Sequence, residues 1–503
     1  MAVKRIVSKG LLNQYIAAIS ACMSVVASGS MYGWITPILT DLLSPGSEID
    51  ITPTQMSWVV SIIELGNFLS PLPAGIVSDY IGRKPVILAT GPVYILGWII
   101  ILYFPTPLML GIARTIHGLG MGFAFTAAPI YLGEIAGDKT RGVITSLFFN
   151  SWWVGFLISY SVGPFISYRA FTWFTLAVNI PFIVIFAFQP ETPYYYMMMG
   201  NVEKARSTLM WFRDKSEEEI DKEMAQMKIS VEENQKKASV KDIVATPIDR
   251  KAFCMLLVLT CVRITSGTGA IMVYATKIFD MVPHLTIPSY VITIAFGVVM
   301  LIGGIVGSVT TDTLGRRPLL LISCIGSLIC QAFTGTYFFL LFKTTVVVSN
   351  FSWIAPVSIL IYSGLCTAGM YPVCSAYTSE LFTSNMRGLA SSVGTINVTF
   401  FSWVSLALYL PLTEYIGLYA NFYLYSTVLF FGSVYFYFFA PETKGKSFVQ
   451  IRNEMSKKLC PHHILCPCVV LCNPCAILSC VRAQTVPPLE LVYLCPFHFA
   501  LGI

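Results

Sequence analysis

Apolar stretches of about twenty residues or more recur along the chain, parted by short polar turns. Six fall near 14–39, 55–77, 86–104, 107–132, 143–167 and 170–189. Six more fall near 252–280, 287–310, 318–342, 352–378, 389–412 and 418–440. A helix of roughly 20 residues crosses the ~30 Å hydrocarbon core of a bilayer, so each stretch predicts one membrane span. Gly and Pro interrupt several of them, which spanning helices tolerate because neighbouring groups re-satisfy the freed backbone. One long segment breaks this rhythm: from about 190 to 250 the run NVEKARSTLMWFRDKSEEEIDKEMAQMKI mixes charges with spaced apolar residues. It reads as short amphipathic helices or, more plainly, as a solvated linker. The expected organisation is an all-α membrane protein with a six-helix bundle over 1–189 and a second over 251–443. Linker helices fill 190–250, and a tail runs over 444–503.

Charge orients the spans. With the N-terminus inside, Arg83, Lys84, Lys139, Arg141, Arg316, Arg317 and Arg387 all fall in inner turns. Lys444, Lys446, Arg452, Lys457 and Lys458 follow the last span on the same side. The outer turns show Arg169 and Lys343, and the first of them carries Asp41, Glu48 and Asp50. The positive-inside rule then places both termini in the cytoplasm. The basic start MAVKRIVSKG precedes an apolar run with no small-residue cleavage site, so that run reads as a retained span. Of the 503 residues 55% are hydrophobic and 12% charged. That is about half the ~25% charge of a soluble protein, which leaves lipid as the partner for the surface. The net charge of +6 lies in inner turns rather than on an aromatic-laced basic face, which argues against nucleic acid. No nucleophile, base and orienting acid recur at a recognisable spacing, so no enzyme is expected.

Three landmarks occur twice, in the same order, each time on the inner side. Ser78 to Pro85 (SDYIGRKP) after the second span matches Thr311 to Pro318 (TDTLGRRP) after the eighth. Tyr131 to Gly142 (YLGEIAGDKTRG) matches Tyr377 to Gly388 (YTSELFTSNMRG), and Pro190-Glu191-Thr192 matches Pro441-Glu442-Thr443. Three matches in register indicate duplication, and duplicated bundles with a mid-membrane site between them are the architecture of secondary transporters. In D-x-x-G-R-[KR], Gly82 and Gly315 permit a tight reversal, with Asp79 and Asp312 beside a helix end. Arg83-Lys84 and Arg316-Arg317 can then reach Glu134 and Glu380. With Arg141, Arg387, Glu191 and Glu442 they form an expected gate, latching the inner side shut and breaking when it opens. The blander alternative is that these cations only obey topology.

These landmarks, with P-E-[ST]-P and a final P-E-T-K-G over Pro441 to Gly445, resemble the sugar-porter branch of the major facilitator superfamily over residues 12–450. Gly33, Trp34 and Pro37 in span 1 and Ser57-Trp58 resemble the insect trehalose and hexose facilitators within it. The resemblance implies the major facilitator fold, two six-helix bundles with short cytoplasmic helices between them, whose halves rock about a central site. The family's cavity residues are replaced. Where sugar porters read QQLSGINA in span 7, this chain reads RITSGTGA from Arg263 to Ala270, keeping Ser266 and Gly267. The span 5 glutamine falls on Phe149, beside Asn150, and the span 8 asparagine on Met300. The span 10 motif G-P-x-P-W falls on Tyr371-Pro372-Val373-Cys374-Ser375, and the span 11 Asn-Trp pair on Val398-Thr399, next to Asn397. Asn150, Arg263, Ser266, Gly267, Tyr274, Ser375 and Asn397 are the resulting candidate ligands. An unpaired buried polar group costs about 1–3 kcal/mol, so a pocket stripped of these amides is not an ordinary glucose site.

Ionisable groups within lipid are costly and often functional. Arg114 in span 4 matches a family arginine. Glu64 and Arg263 match none; they pair with each other, bind a charged solute, or are tolerated in a polar cavity. His117 reads as a packed polar residue. Span 1 holds no Asp or Glu between Tyr15 and Leu39, where proton-coupled sugar porters carry an acid, which favours facilitated diffusion. Glu64 and His117 keep symport as the alternative. Gly118, Gly120 and Gly122, like Gly303 and Gly307, read as helix-packing positions. Asn350-Phe351-Ser352 is a glycosylation sequon. The tail cysteines (Cys460, Cys466, Cys468, Cys472, Cys475, Cys480 and Cys495), with His462 and His463, fit no zinc template. Palmitoylation is the other reading of that tail. No metal or cofactor is expected. The expected function is facilitative transport of a hexose, trehalose or related polyol by a plasma-membrane monomer. Another solute, anionic for instance, or a non-transporting sensor are the alternatives on the same scaffold.

Overall fold

The computed structural model describes residues 8–457 apart from 45, 138–139, 235–241 and 346–350. Lys139, Asn350, Lys458 and the tail cysteines lie outside the described residues. Among those described there is no β-strand. Spans 1 and 3–6 are Lys9–Leu42, Arg83–Tyr103, Pro107–Ile135, Arg141–Phe165 and Tyr168–Ala187. Spans 7–12 are Pro247–Asp280, Ser289–Leu314, Arg316–Lys343, Ile354–Glu380, Met386–Tyr415 and Leu418–Phe439. Span 2 is a pair, Pro53–Leu69 and Pro71–Ile81, bent by 45°. Each apolar stretch of the sequence therefore corresponds to one span.

Local chemistry starts these helices. Spans 2, 4 and 7 and the helix Pro193–Met198 all open on Thr-Pro, at Thr52, Thr106, Thr246 and Thr192. Each Thr hydroxyl accepts a first-turn N–H, and Pro at the next position has no N–H to leave unpaired. Small residues then bring the helices together. Gly29 and Gly155 join spans 1 and 5, Gly66 and Gly118 join spans 2 and 4, and Gly303 and Gly307 join spans 8 and 10. A methyl group at any of these would run into the facing helix. Ile76, Phe188, Val309 and Phe431 point outward, as a hydrocarbon solvent requires.

The halves meet through spans 1 and 7, 2 and 11, and 5 and 8. Exchanging each span with the one six places away maps the 2–11 contact onto 8–5 and the 1–7 contact onto itself. The sequence duplication is thus repeated in space.

Among the described residues, the segment between the halves carries helices. Pro193–Met198, Val202–Phe212 and Glu217–Asn234 share a small core of Met197, Leu209, Ile220 and Met224. They lock onto the first half through Gln14 Nε2, which donates to Phe212 O at 2.6 Å. Arg213 donates to Ile135 O at 2.7 Å and Ala136 O at 3.0 Å. After span 12 the helix Phe448–Lys457 returns to span 7, where Arg452 Nη1 meets Asp249 Oδ1 at 2.7 Å.

Candidate solute pathway and its gates

The duplicated motifs gather at one end of the bundle, the basic face. Span 2 runs into Gly82 and span 8 into Gly315, at φ +105° and +92°, which glycine adopts freely. Each reversal aims the first turn of the next span at the carboxylate of a P-E-T motif. Lys84 N–H donates to Glu191 Oε2 at 2.9 Å, and the Arg316 and Arg317 N–H groups donate to Glu442 at 3.1 Å. A carboxylate there also meets the positive end of a helix dipole. A Cβ at Gly82 would land on Glu191 Oε2, and one at Gly315 would stand 2.9 Å from Glu442 Oε2. The two carboxylates titrate differently. Burial pushes Glu191 above the usual range and outweighs the Thr192 and Lys84 N–H bonds and the Arg83 and Lys84 charges. Burial pushes Glu442 up as well, but N–H bonds from Lys444, Arg316, Arg317 and Thr443 hold it below that range.

Arg83 pairs with Glu134 at 3.0 Å and Asp79 at 3.4 Å, and Arg316 pairs with Glu380 at 2.8 Å and Asp312 at 3.1 Å. Tyr131 OH donates to Pro190 O at 2.9 Å, and Tyr377 OH donates to Pro441 O at 2.7 Å. The second cation of each pair goes elsewhere. Lys84 Nζ caps Ala187 O at 2.8 Å and Arg317 Nη2 caps Tyr437 O at 2.7 Å, both near span ends. One difference between the copies is that Thr192 Oγ1 donates to Glu134 Oε2 at 2.5 Å, whereas Thr443 Oγ1 and Glu380 Oε2 have no partner.

Every one of these links stays within one half. Among the described residues no ion pair joins the halves, and Arg141 and Arg387 are exposed and in no ion pair. The sequence reading expected these networks to break when the basic face opens. In this conformation each network is formed within its own half while the cavity opens at that face.

The opening is a cavity of about 500 Å³ between the halves. Its deep end is formed by Tyr32, Glu64, Trp152 and Met272, and it emerges among the exposed Thr145, Ser379, Arg387 and Ser391. Beyond Met272 the halves close on each other. Thr36 Oγ1 and Tyr160 OH both donate to Met272 O, at 3.1 and 2.6 Å. Ser57 Oγ donates to Ala407 O at 3.0 Å, and the rings of Trp58 and Trp403 lie 6.4 Å apart.

Glu64 is 4% exposed, yet it forms part of the cavity wall. Its Oε1 accepts from Tyr32 OH at 2.8 Å and from Ser402 Oγ of the other half at 2.7 Å, and Oε2 accepts from Asn67 Nδ2 at 3.2 Å. It does not pair with Arg263, which corrects that alternative of the sequence reading. The Arg263 guanidinium instead lies 4.4 Å from the centre of the Tyr371 ring. Arg114 is fully buried, donates to Met31 O at 2.8 Å, and acts electrostatically on Glu64 and Tyr32. His117 packs 4.5 Å from Trp98 with Nε2 3.2 Å from Tyr94 O, a packed polar residue.

Of the seven candidate ligands, Arg263 and Ser375 line the cavity. The other five do not. Asn150 donates to Ser146 O at 2.9 Å and faces Gly304. Ser266 donates to Arg263 O at 2.8 Å and lies 3.1 Å from Tyr362 OH. Gly267, at φ +94°, sits against Tyr425 in a π-helical turn, Ile264–Thr268. Tyr274 stacks on Tyr409 at 4.2 Å, and Asn397 donates to Thr260 Oγ1 at 2.6 Å. The wall is built from residues that the sequence reading missed, among them Tyr32, Asn67, Trp152, Trp153, Thr260 and Ser402. A Trp-Trp pair two places after Asn150 was the available signal.

Two matched bundles around a cavity that opens at one face define a multi-pass membrane protein of the major facilitator fold. The chain belongs to the sugar (and other) transporter family, whose model matches residues 9–455. It is 27% identical over 455 residues to the facilitated trehalose transporter Tret1 of Bombyx mori, covering 89% of this chain and 87% of that protein. To Tret1 of Polypedilum vanderplanki it is 28% identical over 454 residues, covering 88% of each. Among solved structures it resembles the xylose transporter XylE from E. coli in a partially occluded inward open conformation. The TM-score is 0.72 at 18% identity, over 87% of this chain and 100% of that one.

Proposed function

We propose that the protein carries a sugar or a related polyol across the plasma membrane, as a monomer, by facilitated alternating access. The basic face and both termini lie in the cytoplasm, in keeping with the positive-inside distribution of Arg and Lys. The observation that carries this reading is the cavity: polar groups at mid-span, an open mouth at the basic face, and a far end closed by bonds between the halves. The first half with its linker helices and the second half act as the two moving bodies, each held rigid by its own charge network. Arg387, exposed at the mouth and in no ion pair, is a residue free to close it. The family, and relatives named as facilitated trehalose transporters, support a sugar as cargo. Radiolabelled uptake in transporter-deficient cells tests this with glucose, trehalose and non-sugar solutes at two pH values. Saturable sugar uptake that ignores pH is expected. Surface-expressed protein that takes up no sugar or sugar derivative contradicts the reading.

A further inference from the structure

Arg263 lines the cavity, and among the described residues no carboxylate of its own half answers its charge. It stands midway along span 7, directly before the π-helical turn, and is half-buried. Among the described residues its side chain makes no ion pair and no hydrogen bond, and its Nε is buried without a partner. Its sole companion is the face of Tyr371, at 4.4 Å. A cation held there is expensive unless something completes it. Glu64 is the cavity's carboxylate, and it is already engaged by three donors and by the charge of Arg114. With Arg387 exposed at the mouth, the pathway has a cation at its entrance and an unanswered cation inside it. Such an arrangement draws anions inward.

We propose that Arg263 binds the anionic group of a hydroxylated solute, so that the cargo is a sugar acid or a sugar phosphate rather than a neutral sugar. This rests on the carrier reading above and narrows its substrate. A guanidinium stacked on an aromatic ring is held in plane, which suits two parallel hydrogen bonds to a carboxylate or a phosphate. Ser375 and Asn67 line the same cavity and supply polar groups for the remainder of a polyol.

The test compares uptake of labelled glucuronate, glucose 6-phosphate and glucose by wild type and by Arg263→Gln and Arg263→Lys, corrected for surface expression. Wild type is expected to take up at least one of the two anions, and the choice between them separates carboxylate from phosphate. Arg263→Gln should lower the anion-to-glucose uptake ratio by about tenfold or more, the scale of one lost charge-assisted bond. Arg263→Lys should recover part of it. Purified protein gives a second readout: the anion should raise the melting temperature of wild type and not of Arg263→Gln. Glucose uptake with no uptake of, or competition by, either anion overturns the inference and leaves the carrier reading standing. No uptake of any of the three, nor of trehalose, by surface-expressed protein overturns both.

Discussion

Gly82 and Gly315 each meet two demands, a positive φ and room for a carboxylate against the backbone. Gly82→Ala and Gly315→Ala should each cost about 1–3 kcal/mol of stability, seen as a lower melting temperature in detergent. Gly111→Ala, where nothing lies within 4 Å of an added methyl, should change little. The two carboxylates beside those glycines carry opposite pH signatures. The stabilisation from Glu442, whose value is lowered, is present above the ordinary carboxylate range and fades as pH falls through the lowered value. For Glu191, whose value is raised, the contribution is present at low pH and is lost as pH rises through the raised value. At pH 7, Glu442→Gln should therefore destabilise the protein by on the order of 1 kcal/mol, seen as a lower melting temperature, while Glu191→Gln should not. The reverse order would contradict this assignment. At this scale the motif residues were legible because their chemistry is local: a reversal, a helix end and a charge within reach. The cavity wall was not. Asn150 and Asn397 sit beside family positions, but neighbours on a helix point about 100° apart, and a side chain can satisfy itself on its own or an adjoining helix.

Among elements, the spans were legible because hydrocarbon sets the length of every apolar run, a constraint independent of tertiary packing. The linker helices were legible only as one of two alternatives, since their fate depends on what they dock against. Arg213 decides it by donating to two carbonyls at the end of span 4 and pairing with Glu223 at 2.9 Å. Arg213→Ala should cost about 2–4 kcal/mol and open residues 190–250 to limited proteolysis. Unchanged protection would show that the small core of Leu209 and Ile220 is enough. The π-helical turns of span 7, Ile264–Thr268, and span 10, Cys366–Met370, left no trace in apolar periodicity. In span 7 the turn follows directly after Arg263.

For the whole molecule, the duplicated sequence foretold two matched halves, yet which conformation they adopt follows from contacts no repeat reveals. The bonds onto Met272 O close the far end, while the networks at the basic face bind each half to itself. On the carrier reading proposed above, closing the basic face falls to charges that are free at its rim. Arg387→Ala should reduce uptake by roughly an order of magnitude, within the usual 1–3 kcal/mol of conformational coupling, and leave the melting temperature unchanged. Equal loss of both would mean that Arg387 is structural. The most direct measurement of the account is counterflow in proteoliposomes preloaded with unlabelled glucose or glucuronate, with the labelled solute outside. A carrier whose halves exchange access should produce a transient overshoot of label for at least one of the two, whereas entry by passive equilibration without overshoot would contradict it.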